Sequence, residues 1–70
     1  MASSGVEGWT ERQIASWLRD ELKFDAVADA VLAEGVDGAM AIEMIREDWV
    51  ELGTSGLKAA KIVSQLKKLV

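Results

Sequence analysis

An all-α domain, a compact bundle of five helices ending in a long one, is what the sequence predicts, on three observations. Apolar residues recur at steps of three and four, helix-capping residues stand where those stretches begin and end, and no stretch sustains a period of two between turn residues. With no proline among 70 residues, glycine supplies the punctuation at Gly35, Gly38, Gly53 and Gly56.

Residues 1–8 are small, polar and glycine-bearing, and read as a flexible leader or a cloning remnant, with ordered structure beginning at Trp9. Thr10-Glu11-Arg12-Gln13 fits a capping box, and Trp9 with Ile14 could staple the same end. Ile14, Trp17, Leu18 and Leu22 then form one apolar face, so the first helix is expected from about Glu11 to Leu22. Asp25 is the expected cap of a second helix with a stripe of Val27, Val31 and Leu32, ended by Gly35. Asp37 caps a short third helix with Met40, Ile42 and Met44 in or near the core. A short fourth helix fits around Arg46 to Leu52, closed by Gly53. Thr54 or Ser55 caps the fifth, which runs to about Leu69 with Ala59, Ile62, Val63, Leu66 and Leu69 on one face. Trp9, Trp17 and Trp49 are expected in the core, with Trp49 the one placed to be partly exposed.

Half the residues are apolar and 29% are charged, enough for one small core and too few residues for a second domain. The chain has neither cysteine nor histidine. Zinc sites of the usual kind, disulfides, thiol nucleophiles and imidazole bases are thereby excluded. The carboxylate pairs Asp20-Glu21 and Glu47-Asp48 have no partner to divide acid and base roles, and the serines have no histidine. Asp37-Gly38 lacks the regularly spaced acids of a calcium loop, and the glycines do not make a phosphate loop. The reading is a non-enzyme with no cofactor and no metal. No apolar run approaches the roughly 20 residues of a membrane span. The absence of cysteine suits an intracellular protein, cytoplasmic or nuclear.

The charge is distributed unevenly. Residues 1–53 hold all twelve acids and four bases, a balance of −8, whereas residues 54–70 hold four lysines and no acid. Lys58, Lys61 and Lys68 fall within roughly 80° of arc at ~100° per residue. The amides at the helix start add to their positive potential. An acidic middle and a basic end on one chain can complement each other between copies.

In order and spacing these residues resemble a sterile alpha motif (SAM) domain, a five-helix interaction module, from Trp9 to Leu69. The resemblance is carried by Trp9, Trp17-Leu18, Val36-Asp37-Gly38, Ala41-Ile42, Met44, Glu47-Asp48-Trp49, Glu51-Leu52-Gly53, Lys61-Ile62-Val63, Leu66 and Leu69. The short interval from Gly53 to Lys61 is similar to that of the Polyhomeotic-like SAM domains, which self-associate head to tail. Leu57, where a glycine is usual, and Val27 and Val31, where aromatics are usual, depart from the pattern.

The resemblance implies a mid-loop acidic surface of Glu34, Asp37, Glu43, Glu47 and Asp48. It implies an end-helix surface of Thr54, Ser55, Gly56, Leu57, Lys58 and Lys61, with Leu57 its apolar centre. The implied partner is another copy of the chain, or another SAM domain or a peptide using one surface. A further alternative is RNA hairpin binding by the fifth helix, as some SAM domains do. A net charge of −4 and the lack of an aromatic on that helix disfavour it.

Overall fold

The computed structural model describes residues 5–69. It contains a single 3₁₀ turn at Val6–Gly8 and five helices: α1 (Glu11–Asp20), α2 (Asp25–Glu34), α3 (Gly38–Glu43), α4 (Arg46–Glu51) and α5 (Gly56–Leu69). Among the described residues there is no strand. The predicted all-α, five-helix class holds.

Order begins earlier than Trp9. Val6 is only 2% exposed and sits in the core, its carbonyl accepting from the Trp9 amide at 3.0 Å. The Gly38 amide then donates to the Trp9 carbonyl at 2.9 Å, so the leading turn is tied to α3. One valine among small residues has no periodicity to signal its burial. The rest of the expected leader, residues 1–4, lies outside the described residues.

The capping box of α1 is present in both halves: the Gln13 amide donates to Thr10 Oγ1 at 3.2 Å, and the Thr10 amide to Gln13 Oε1 at 2.8 Å. The buried face is Ile14, Ala15, Trp17 and Leu18, and the Trp17 ring meets Trp9 edge-on at 6.4 Å. The helix stops at Asp20, two residues short of expectation. Leu22 is still buried, because the chain turns through Lys23 at φ 62° and the Phe24 amide donates back to the Leu18 carbonyl at 2.9 Å.

Asp25 is the first residue of α2, not its cap. Phe24 stands at the cap position with no acceptor to offer, and the Asp25 carboxylate lies 3.9 Å from Arg19 Nε. Val27, Ala28 and Val31 are buried, while Leu32 faces solvent. Gly35 ends the helix at φ 73°, which lets the Val36 amide reach the Val31 carbonyl at 3.0 Å and turns Val36 into the core.

Asp37 caps α3 as predicted, accepting from the Met40 amide at 3.0 Å. Met40, expected near the core, is 51% exposed; Ile42 and Met44 are half-buried against it. On α4 the Asp48 carboxylate accepts from the Ile45 amide at 3.1 Å. Trp49 is fully buried, in keeping with the core placement expected of the tryptophans, and not at the partial exposure that its short helix left open. Gly53, at φ 113°, makes the left-handed exit. Ser55 caps α5, accepting from the Lys58 amide at 3.3 Å. Ala59, Ile62 and Leu66 are buried, but Leu69 is exposed because the last turn runs past the core.

Helix α1 packs on α2, and α4 on α5; α3 touches both α1 and α5 and closes the bundle. Each fully buried large side chain, such as Ile14, Leu18, Trp49 or Ile62, contributes about 1.5–3 kcal/mol by leaving water. The arrangement leaves the outer sides of α3 and α4 and the start of α5 free to carry the charged surfaces.

Candidate functional site

All five acids predicted for one surface are exposed, but the fold distributes them over several. Glu34 and Asp48 come together on a groove between the end of α2 and α4, whose floor includes Met40, Met44 and Val36. Glu51 joins them there. It was missed in the sequence, although its position three residues after Asp48 places it on the same side of a helix.

The other three acids lie elsewhere. Asp37 lines a separate depression with Trp9, Thr10, Glu11 and Arg12, and its carboxylate is already used as the α3 cap. Glu43 borders a groove of mixed charge, with Arg46 and Lys67 around Ile45, Val63 and Leu66. Glu47 lies with Val50, Glu51 and Gly56 on the side of α4 facing the start of α5. Neighbouring helix positions are about 100° apart, so Glu47 and Asp48 diverge to different sides of α4. The five acids therefore do not share one depression: Glu34 and Asp48 do, together with Glu51, Met40 and Met44.

The end-helix residues are better gathered, with one exception. Thr54 is only 7% exposed, and its hydroxyl donates to the Ser55 carbonyl at 3.3 Å, so its side chain is withdrawn into the α4–α5 junction. Ser55 is exposed but its hydroxyl is occupied by capping. Gly56 is open, with nothing within 4 Å of where a Cβ would stand. Leu57 is 87% exposed, the most exposed large apolar side chain described.

On a helical wheel Ala59, Ile62 and Leu66 cluster roughly 170° from Leu57, Lys61 about 40° from it and Lys58 about 100°. Leu57 thus points straight away from the core with Lys61 beside it. Lys58 lies toward the flank, its Nζ 5.4 Å from the centre of the Phe24 ring. Among the described residues the ion pairs within 4 Å are those of Arg19 with Asp25 and Asp29, and none involves an α5 lysine.

Among the described residues no cluster of three potential ligands could hold a metal ion, and no helix is long and apolar enough to cross a membrane. What the arrangement offers is complementarity: a cationic helix end with a protruding leucine, and an anionic groove with an apolar floor. No family model matches the chain, and comparison with curated proteins and with solved structures finds no significant match.

Proposed function

We propose that this chain is a SAM-like, non-enzymatic protein interaction module that self-associates head to tail. The start of α5 in one copy enters the groove of Glu34, Asp48 and Glu51 in the next, with Leu57 over Met40 and Met44 and Lys61 toward the acids. The observation that carries the reading is Leu57, held almost fully exposed on the one helix whose charges are all positive. A single exposed leucine is ordinary on a surface; what singles this one out is its place beside Lys61, opposite the buried stripe, on a chain that also carries an acidic groove lined by Met40 and Met44.

Because the two surfaces differ, the contact is heterologous and generates an open helix or a ring, not a two-fold dimer. Burying Leu57 supplies about 1.5–3 kcal/mol, and each exposed ion pair at the rim about 0.2–1 kcal/mol. One apolar anchor with a salt-screened rim makes a concentration-dependent assembly, suited to scaffolding a larger intracellular protein.

Sedimentation of the purified domain over a range of concentration and salt tests this. The expected result is mass that grows with concentration and shrinks with added salt. A constant mass of 7.6 kDa at every concentration removes self-association and leaves a hetero-partner for one of the two surfaces.

A further inference from the structure

Lys58 and Lys61 differ in only one respect on the sequence, their place along a turn, yet the fold separates their tasks. Lys61 stands beside the outward Leu57, whereas Lys58 lies about 100° round the helix, at the edge of the buried stripe. Its ammonium sits 5.4 Å from the Phe24 ring centre, inside the roughly 6 Å range of a cation–π contact. Phe24 is itself held firmly. The preceding Lys23 adopts a left-handed backbone at φ 62°, and the Phe24 amide is anchored to the Leu18 carbonyl at 2.9 Å. The ring is half-buried and packed against the core. At the other end the Lys58 amide is fixed by the Ser55 cap.

From this we infer that Phe24 and Lys58 form an internal clamp that positions the first turn of α5, so that Lys61, and not Lys58, supplies the cation of the end-helix surface. The inference rests on the self-association reading and refines it: the α1–α2 corner becomes part of the surface as its support. Lys58 is a positioning residue, and Phe24 the group it acts through. A lysine turned about 100° round the helix onto its own chain's ring keeps its charge but faces away from a neighbour's acids, so it contributes less than Lys61 to the salt-sensitive attraction. A free lysine contributes to it directly.

The test uses two full-length variants that can make only one contact. Glu51→Lys keeps α5 and spoils the groove; Lys61→Glu keeps the groove and spoils α5. Their affinity for each other is measured at low and high salt, with further changes placed on the Glu51→Lys partner. Adding Lys61→Met there is expected to weaken binding and flatten its salt dependence. Adding Lys58→Met is expected to weaken binding about two- to fivefold, the strength of an exposed cation–π contact, with the salt dependence retained. Phe24→Leu should match it, the two together should be no worse than either, and Lys58→Arg should restore binding, since a guanidinium also stacks on the ring. A Lys58→Met variant that flattens the salt dependence as Lys61→Met does overturns the assignment, as do Phe24 and Lys58 effects that multiply. If the two variants fail to bind at all, the self-association reading fails on its own account. The clamp is then decided by thermal unfolding of the same single and double variants: non-additive losses uphold it, and additive losses overturn it.

Discussion

Gly38 lies directly against the backbone of Val6: a Cβ on it would overlap the Val6 carbonyl oxygen and come within 3.0 Å of the Trp9 nitrogen. The close approach is sealed by the hydrogen bond from the Gly38 amide to the Trp9 carbonyl, at 2.9 Å. Glycine is required here by space and not by a positive φ. Gly38→Ala is therefore expected to cost roughly 3 kcal/mol by forcing the leading turn off α3. That lowers the thermal midpoint by more than about 10 °C for a domain of this size. Gly56→Ala is the control, since nothing stands within 4 Å of that Cβ; it should leave the midpoint unchanged or raise it. Equal midpoints for the two variants would show that Val6 does not pack where it is described.

Trp49 presents a different balance, because its fully buried ring carries an indole N–H with no acceptor among the described residues. Leaving such a donor unpaired costs about 1–3 kcal/mol, which the packing of the ring must exceed. Trp49→Ala is expected to cost about 3–5 kcal/mol, against a total of about 4–10 kcal/mol for a domain this size, and nearly to unfold it. Trp49→Phe removes the unpaired donor along with some volume, and should cost no more than about 1.5 kcal/mol. Chemical denaturation of both variants checks this. A phenylalanine variant as unstable as the alanine one would mean that the indole N–H is satisfied after all.

These two residues also mark where the sequence was legible. Most caps could be read residue by residue: Thr10 with Gln13, Asp37, Gly35, Gly53 and Ser55 of the Thr54–Ser55 pair act as anticipated, because capping chemistry is local, whereas Asp25 opens α2 one place after its cap. Helix α5, with fourteen residues, has enough apolar positions to define its inward face. Helices α3 and α4 have six residues each, and two large apolar side chains apiece do not fix a rotation. Hence Met40 reads as inward and Glu47 as sharing a surface with Asp48, and the partial exposure of Trp49 stays open although the core is its expected place. Val6 is buried by contact with the distant start of α3, a signal that no local pattern contains.

Asp37 separates a structural acid from an interfacial one. Its carboxylate holds the Met40 amide, and its depression is distinct from the Glu34, Asp48 and Glu51 groove. Asp37→Ala should lower stability by about 1 kcal/mol through loss of the cap, while Asp37→Asn, which can still cap, should be close to neutral. Neither should weaken self-association by more than about twofold when sedimentation is measured well below the melting temperature. Loss of assembly in the stable asparagine variant would return Asp37 to the interacting surface.

Charge reversal on each side of the proposed contact gives the most direct trial of the mechanism. Lys61→Glu should abolish assembly without unfolding the domain, since the side chain is exposed and lies beside Leu57, far from the buried stripe. Asp48→Lys should abolish it from the groove, at an added cost of about 1 kcal/mol because its carboxylate also holds the Ile45 amide. Glu51→Lys reaches the same groove without that cost, as no hydrogen bond of its side chain is lost. Each variant retains one sound surface, so a mixture of Lys61→Glu with Glu51→Lys should form a heterodimer and stop there. Raising salt from about 0.05 to about 0.5 M shortens the screening length from about 14 to about 4 Å and should weaken the pair. Seating Leu57 on Met40 and Met44 leaves a part of the affinity that salt does not remove. If both variants are monomeric apart and also monomeric together, the head-to-tail contact does not use these residues. If Lys61→Glu alone still polymerises, the apolar tip at Leu57 carries the contact without its lysine.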